Sequence, residues 1–217
     1  MIVAIDGPAA TGKSTSAKKV SRELGFTHLD TGAMYRCVTL SVLRNQITLD
    51  NENALSQLLN ELDIRLEKLD DELVVYLNGE DVSDEIRKAE VTSYVSTVSA
   101  LSQVRNALVR IQRNIAKNQD CVVEGRDIGT IVFPDAKFKF FLVADDFVRA
   151  QRRQLDLIAI GEEKSIAVLV EEIRQRDFSD SKRSNSPLCK ADDAIEIDTS
   201  KMTFDEQVAF MVNRVKK

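Results

Sequence analysis

The sequence GPAATGKS at positions 7–14, together with the segments that flank it, constrains the fold more than any other part of the chain. It matches the P-loop pattern G-x-x-x-x-G-K-[ST] at every specified position. The apolar run at 2–5 is typical of a buried parallel strand, and Lys13 to Leu24 has helical spacing with Gly25 as a stop signal. Backbone N–H groups and the dipole of a helix N-terminus both favour phosphate oxygens at such a junction. We therefore predict a phosphate site, with Lys13 reaching the terminal phosphates and the Ser14 hydroxyl binding Mg²⁺. The alternative, a glycine turn that binds nothing, leaves the flanking strand and helix unexplained.

Composition narrows the class of protein. The 217 residues suit one large domain, alone or with a small insert. The formal charge of −5 argues against a basic surface for duplex nucleic acid, although arginine-rich segments allow a locally positive cleft. No apolar run reaches 18 residues and the N-terminus has no leader-like pattern, so we expect a cytoplasmic protein with no membrane partner. Scattered Cys37, Cys121 and Cys189 lack zinc spacing and indicate free thiols in a reducing compartment, and His28 is interpreted as structural.

Apolar strand-like runs alternate with helical patterns along most of the chain. Strands are predicted at 27–29, 121–123, 138–143 and 194–197, and helices at about 33–44, 51–62, 104–115, 146–157 and 165–176, with a capping box at 203–206 opening a last helix. This alternation predicts an α/β fold, a parallel sheet with helices on both faces. Because ligands bind at the carboxyl ends of strands in such sheets, the motifs at Gly7, Asp30, Gly125 and Asp198 should converge on one edge.

The region after position 62 departs from that pattern. Residues 64–67 alternate apolar with charged, residues 73–77 are strand-like, and Asn78-Gly79 is a strong hairpin signal. We predict a small antiparallel insert, roughly 63–95 with the helix that follows the strands, and too poor in apolar residues to fold independently.

Three further charged motifs follow predicted strands or helices. Residues 30–36 read DTGAMYR, with Thr31 predicted to cap a helix, and the alternative there is a capped helix with a solvated arginine. Residues 125–130 read GRDIGT, which places an arginine fork and a carboxylate between glycines, and the alternative is a salt-bridged loop. Residues 174–183 carry four cations, and Arg149, Arg152 and Arg153 form a similar run one helix earlier, although charge runs are usually solvated helix ends. Beside a P-loop, these motifs suggest a second phosphate and cations that neutralise charge during phosphoryl transfer.

With these motifs the chain resembles the bacterial cytidylate kinases, of the nucleoside monophosphate kinase group. The shared segments run essentially end to end, at 6–15, 29–36, 125–130, 133–136, 176–183, 186–188 and 191–199. The resemblance implies a single P-loop kinase domain over 1–217, with the antiparallel insert in the acceptor-binding region and a short lid at about 149–165. It also implies transfer of a phosphoryl group from ATP, with Mg²⁺, to CMP or dCMP. The implied partners are these small nucleotides. Independently of the resemblance, we expect no nucleic-acid partner, in line with the acidic charge, and a monomeric protein.

Residue roles carry over by position from the resemblance. ATP binding is implied for the loop, Gly7, Pro8, Ala9, Ala10, Thr11, Gly12, Lys13, Ser14 and Thr15. A catalytic role is implied for Lys13, Arg126, Arg149 and Arg153. CMP binding is implied for Thr31, Tyr35, Arg36, Ser96, Arg105, Arg126, Asp127, Arg176, Asp180 and Arg183. Within that set, Arg36, Arg126 and Arg183 would hold the phosphate, Arg176 and Asp180 the ribose, and Ser96, Arg105 and Asp127 the cytosine.

Three other hypotheses about the function stay open at this point. Another small-molecule P-loop kinase would differ in its acceptor preference. A nucleotide-dependent switch would bind ATP and turn over slowly whatever acceptor is added. A plain interaction protein would make the four charged motifs coincidental.

Overall fold

The computed structural model describes residues 1–69, 72–159 and 161–217. Asp70 and Asp71 of the predicted insert and Ile160 of the predicted lid lie outside the described residues. Two compact units are present, the first formed by Met1–Leu29 with Ile115–Lys217 and the second by Asp30–Asn114.

The first unit contains the parallel sheet. Its strands are β1 (Ile2–Asp6), β2 (Thr27–Asp30), β6 (Cys121–Gly125), β7 (Phe138–Val143) and β8 (Ile195–Asp198), in the order β2-β6-β1-β7-β8. The pairs of β1 with β6, β1 with β7 and β7 with β8 are parallel. Its helices are α1 (Lys13–Leu24), α6 (Asp146–Ala159), α7 (Ile166–Ser181) and α8 (Phe204–Lys216). The predicted α/β class is confirmed.

One apolar cluster fixes α1 and α8 against this sheet. Ala17 and Val20 of α1 and Met211 of α8 pack with Val3 of β1 and Leu142 of β7, all essentially inaccessible to solvent. The predicted capping box at the start of α8 is confirmed, because Thr203 and Glu206 bond each other's backbone N–H groups. The buried strands leave only their carboxyl ends for polar chemistry, and Gly7, Gly125 and Asp198 lie at that edge as predicted.

The second unit contains α2 (Thr31–Arg44), α3 (Glu52–Glu61), α4 (Ala89–Ser99), α5 (Ser102–Ala116) and a small antiparallel sheet of β3 (Ile64–Leu69), β4 (Glu72–Leu77) and β5 (Glu80–Asp81). The hairpin predicted at Asn78-Gly79 is confirmed, and both residues have positive φ angles of 52° and 85°.

Two predicted boundaries are wrong. The cap of α2 is Asp30, whose side chain accepts from the N–H of Ala33, so Thr31 is the first helical residue and not the cap. Asp and Thr are both good caps, and the helix begins directly after β2, which ends at Asp30, so Asp30 takes the cap position. Helix α7 continues to Ser181, five residues beyond the predicted end at Arg176. The face that Leu169 and Ile173 begin is continued by Asp180, which is buried and charge-paired, so the helix goes on where an apolar pattern stops.

Candidate active site

Two glycines shape the loop between β1 and α1. Gly7 has a φ angle of 146°, and a Cβ on it would lie 2.2 Å from the carbonyl oxygen of Leu142 in β7, so only glycine fits there. Gly12 has a φ angle of 87° and directly precedes α1, whose first turn carries no acidic residue. The loop therefore leads into a helix N-terminus that suits an anion, as predicted from the sequence.

Lys13 is the cation of this loop and is buried, with an exposed fraction of 6%. Its Nζ donates to the carbonyl oxygen of Pro8 at 2.5 Å and to Thr11 Oγ1 at 3.4 Å. Burial, and after it the charge of Arg126, lowers the pKa of Lys13 well below its ordinary value, and Arg176 acts in the same direction. Lys13, Arg126 and Arg176 are therefore close enough for their charges to interact, an arrangement that suits a polyanionic ligand.

A buried carboxylate holds the Ser14 hydroxyl. Ser14 Oγ donates to Glu124 Oε2 at 2.6 Å, and His28 Nε2 lies 2.9 Å from Glu124 Oε1. Burial would raise the pKa of Glu124, but the hydrogen bonds from His28 and Ser14 and the charge of Lys13 outweigh it and lower the pKa overall. An ionised carboxylate beside a hydroxyl is a pair of hard oxygen ligands, so these residues fit Mg²⁺. His28 supports this pair, in keeping with its predicted structural role.

Asp6 holds the loop that follows β6. Its two carboxylate oxygens accept from the N–H groups of Ile128 at 2.9 Å and Gly129 at 2.7 Å. Burial raises the pKa of Asp6 to about 6, and the two N–H groups oppose that rise. The end of β1 thus fixes the backbone of the GRDIGT segment.

The raised pKa of Asp6 predicts a pH-dependent stability. Between about pH 4 and pH 6 the native state binds this proton more readily than the unfolded chain, so the contribution of Asp6 is fully present below pH 4 and is lost as the pH rises through 6. The loss is roughly 3 kcal/mol at about 1.4 kcal/mol per pH unit. Urea unfolding at pH 4, 5, 6 and 7 is expected to show that the stability of the wild type relative to Asp6→Asn falls over this interval. A difference that stays flat or rises with pH would contradict it.

Arginines and carboxylates of the first unit form a second cluster. Arg126 Nε donates to Asp180 Oδ2 at 3.1 Å, and Arg183 is ion-paired with Asp180 Oδ1. Asp180 is 1% exposed, and the two guanidinium groups neutralise the charge that would otherwise be buried without a partner. Arg176 lies one helical turn before Asp180 on α7, and Asp127, 3% exposed, stands two residues after the end of β6. The structure therefore brings Arg126, Asp180 and Arg183 together.

The remaining predicted acceptor residues belong to the second unit. Arg36 Nη1 donates to Thr92 Oγ1 at 2.7 Å and to the carbonyl oxygen of Ile86 at 3.2 Å. The guanidinium of Arg105 lies 5.2 Å from the centre of the Tyr35 ring, within reach of a cation–π contact. Within this unit Thr31 is buried at the start of α2, and Ser96 is half-buried on α4.

Two arginines of the run on α6 are hydrogen-bonded to the P-loop, one directly and one through Thr199. Arg149 is buried, and its Nε donates to the carbonyl oxygen of Ala9 at 2.9 Å. Arg152 donates to Oγ1 and the carbonyl oxygen of Thr199, both at 2.9 Å, and Thr199 Oγ1 donates in turn to the carbonyl oxygen of Thr11 at 3.1 Å. Arg153 is half-buried. Two arginines of the predicted lid are therefore connected to the phosphate loop.

Comparison with known proteins is decisive for the family. The family model described as Cytidylate kinase matches residues 3–217. The chain belongs to the cytidylate kinase family. A protein named "Cytidylate kinase" from Caldanaerobacter subterraneus is 48% identical over 215 residues, which cover 99% of this chain and 94% of that protein. Another of the same name from Lactobacillus johnsonii is 46% identical over 217 residues, 100% of this chain and 94% of that protein. The crystal structure of an uncharacterized protein from Eubacterium ventriosum has a TM-score of 0.55 at 12% identity and covers 100% of this chain and 98% of that chain, which shows the fold alone.

Sequence reasoning did not assign roles to several residues of this family member. Asp6 and Glu124 each stand at the end of an apolar strand directly before a glycine, and a carboxylate at that place is a signal that could have found them. Asp177 and Thr199 lie inside the motifs at 174–183 and 191–199 but received no role. Gln207, which donates to Ser16 Oγ at 3.0 Å, lies in no motif. Thr11 donates its hydroxyl to the carbonyl oxygen of Pro8 at 3.1 Å.

Two negative findings apply to the part of the chain that the structure describes. Within it, no helix is long and apolar enough to cross a membrane. No group of three or more His, Cys, Asp and Glu side chains there is placed to hold a metal ion. Cys37, Cys121 and Cys189 are free thiols, as the sequence predicts.

Proposed function

We propose that this chain transfers the terminal phosphoryl group of ATP to CMP or dCMP, giving ADP and CDP or dCDP. The observation that carries the proposal is the cation cluster of the first unit, where Lys13 of the P-loop experiences the charge of Arg126 and Arg176 in a chain of the cytidylate kinase family. Two polyanions must meet for this reaction, and fixed cations stabilise that encounter. The free cysteines fit a reducing compartment such as the cytoplasm.

The donor half is assigned to the P-loop. The N–H groups at the start of α1 and the ammonium of Lys13 bind the β- and γ-phosphates, and Lys13 leaves its Pro8 contact to do so. Ser14 and Glu124 would hold Mg²⁺, which neutralises phosphate charge when bound. Arg153, carried over from the resemblance, is assigned to the same charge neutralisation. Phosphoryl transfer demands little covalent chemistry, so positioning and charge supply most of the rate.

The acceptor phosphate is assigned to Arg126 and Arg183, whose planar forks match phosphate oxygens. In the structure both forks are directed at Asp180, which orients them. Asp180 and Arg176 are assigned to the ribose, and Asp127 to the cytosine amino group, because a carboxylate accepts from an amino group and repels the carbonyl of uracil. From the resemblance, Arg36 is also assigned to the phosphate, Ser96 and Arg105 to cytosine, and Thr31 and Tyr35 to CMP.

Arg183→Ala tests the acceptor assignment. The variant is expected to raise the CMP KM by about 10-fold or more and to lower kcat, since a charge-assisted hydrogen bond contributes about 1.5–3 kcal/mol. The ATP KM should change little. Steady-state kinetics with each substrate varied in turn measures this, with Lys182→Ala, an exposed cation next to it, as the matched control. Unchanged CMP kinetics would remove Arg183 from the site.

A panel of acceptors tests the function itself. ADP release from ATP with Mg²⁺ is measured with CMP, dCMP, UMP, AMP, GMP or no acceptor. Strong turnover with CMP and dCMP alone is the expected result. A different preferred acceptor would indicate another small-molecule kinase, and equal slow turnover with every acceptor would indicate a nucleotide switch.

A further inference from the structure

The phosphate loop is held at Ala9 by two helices of the same unit. Asp177 Oδ1 of α7 accepts from the N–H of Ala9 at 3.2 Å, and Arg149 Nε of α6 donates to the carbonyl oxygen of Ala9 at 2.9 Å. Arg149 Nη2 is also ion-paired with Asp177 Oδ2, which closes the ring. Both backbone polar groups of one loop residue are thus bonded to one ion pair.

Further contacts surround this ring. Arg149 is 4% exposed, and its remaining Nη1 lies 3.4 Å from Asp146 Oδ1, whose other oxygen accepts from Arg174 Nε at 2.7 Å. Ala10, the next loop residue, packs against the apolar cluster that joins α6 to α7. Ala10 also has a φ angle of 57°, a left-handed conformation that a non-glycine residue keeps only where its surroundings enforce it.

Helix α7 carries acceptor residues beside Asp177. Arg176 precedes Asp177 directly, and Asp180, which is paired with Arg126 and Arg183, follows it by three residues. The charges of Arg126 and Asp180 both act on the Asp177 carboxylate. One helix is therefore bonded to the donor loop and to the cluster assigned to the acceptor.

We infer that Asp177 of α7 and Arg149 of α6 are positioning residues, which hold the Ala9 segment of the P-loop and so link the binding of ATP to that of the acceptor. The inference rests on the proposed function, because it takes α7 as the acceptor helix. Coupling between two ligands is reciprocal, so each should tighten the binding of the other through this ring. This role differs from the catalytic role that the resemblance implies for Arg149, since its guanidinium is bonded to Ala9 and Asp177.

Binding of AMPPNP with Mg²⁺, measured by calorimetry with and without CMP, tests the inference. Asp177→Ala is expected to raise the AMPPNP dissociation constant by about 10-fold and to reduce the effect of CMP on it by several-fold. Asp177→Asn, which has the same shape and keeps an acceptor for the Ala9 N–H, should lose less and serves if the alanine variant does not fold. Arg149→Lys should weaken AMPPNP binding because a lysine cannot bond Ala9 and Asp177 as a fork does.

Gln175→Ala is the matched control. Gln175 is exposed on the same helix, and its amide nitrogen donates to Glu171 Oε1, one turn earlier on that helix. Asp177 variants that bind AMPPNP as the wild type does, or a control that weakens it equally, would overturn the inference. A weakened AMPPNP affinity with an unchanged response to CMP would overturn the link between the two sites. Absence of CMP turnover by the wild type would instead refute the proposed function, while the AMPPNP titrations alone would still decide whether Asp177 positions the loop.

Discussion

Lys13→Ala is expected to lower kcat by about 10³-fold, the largest effect of any single substitution in the site. One preorganised charge aimed at a transferring phosphoryl group stabilises the transition state by several kcal/mol, and removing such a group costs about 10²–10³-fold or more in rate. Lys13 is suited to this because burial and the neighbouring arginines disfavour its charged form and lower its pKa. A phosphate stabilises the ammonium in place of the lost hydration and is therefore bound strongly. The ATP KM should rise far less than kcat falls. Rates are measured at saturating ATP and CMP.

Lys19→Ala is the matched control for that substitution. Lys19 lies on the same helix with its side chain 41% exposed, and it pairs with Glu23 at 3.6 Å, a type of surface pair that contributes about 0–1 kcal/mol. The control should keep the wild-type rate. A Lys13→Ala variant within about 10-fold of the wild-type kcat would place the transferring phosphoryl group elsewhere.

Asp127→Asn is expected to reduce the preference for CMP over UMP by about 10²-fold or more in kcat/KM. A buried carboxylate accepts from the cytosine amino group and repels the uracil carbonyl, whereas an amide can donate to that carbonyl. Asp127 is 3% exposed, so water does not screen the mismatch. The change should come from a gain with UMP as well as a loss with CMP.

Asp135→Asn tests whether the selectivity depends on that particular carboxylate. Asp135 is exposed eight residues further on, so its variant removes the same charge from a solvated position. It should keep the wild-type ratio of CMP to UMP. If Asp127→Asn also keeps that ratio, cytosine is recognised by other residues.

Local patterns were sufficient for the helices and strands whose start and stop signals are clearest. Helix α1 has its predicted bounds because Gly12 and Gly25 adopt left-handed conformations at its two ends. Strand β7 has its predicted bounds because its residues are apolar at every position except Lys139. Helix α7 was underestimated, since its last turns are stabilised by the partners that Asp180 finds far away in sequence, which no local pattern contains.

The residues of the candidate site also divide into those that the sequence indicates and those that only the fold reveals. The P-loop and the GRDIGT and 174–183 motifs could be singled out from the sequence because glycines, arginines and a lysine in such patterns are typical of phosphate sites. The supporting partners were not, because Asp6 with Gly129, Ser14 with Glu124 and Ala9 with Asp177 are joined across 110 to 168 residues of sequence. A carboxylate in a sequence shows a charge, and only the fold shows which N–H or hydroxyl it accepts from.

Competition between two acceptors tests the central claim most directly. The protein is mixed with ATP, Mg²⁺ and equal concentrations of CMP and UMP, and the diphosphates are separated and quantified against ADP over time. We predict that CDP accumulates in a one-to-one ratio with ADP while UDP is formed at least about 10²-fold more slowly. ADP that appears without CDP, or UDP formed as fast as CDP, would contradict the assignment of this chain as a kinase for CMP.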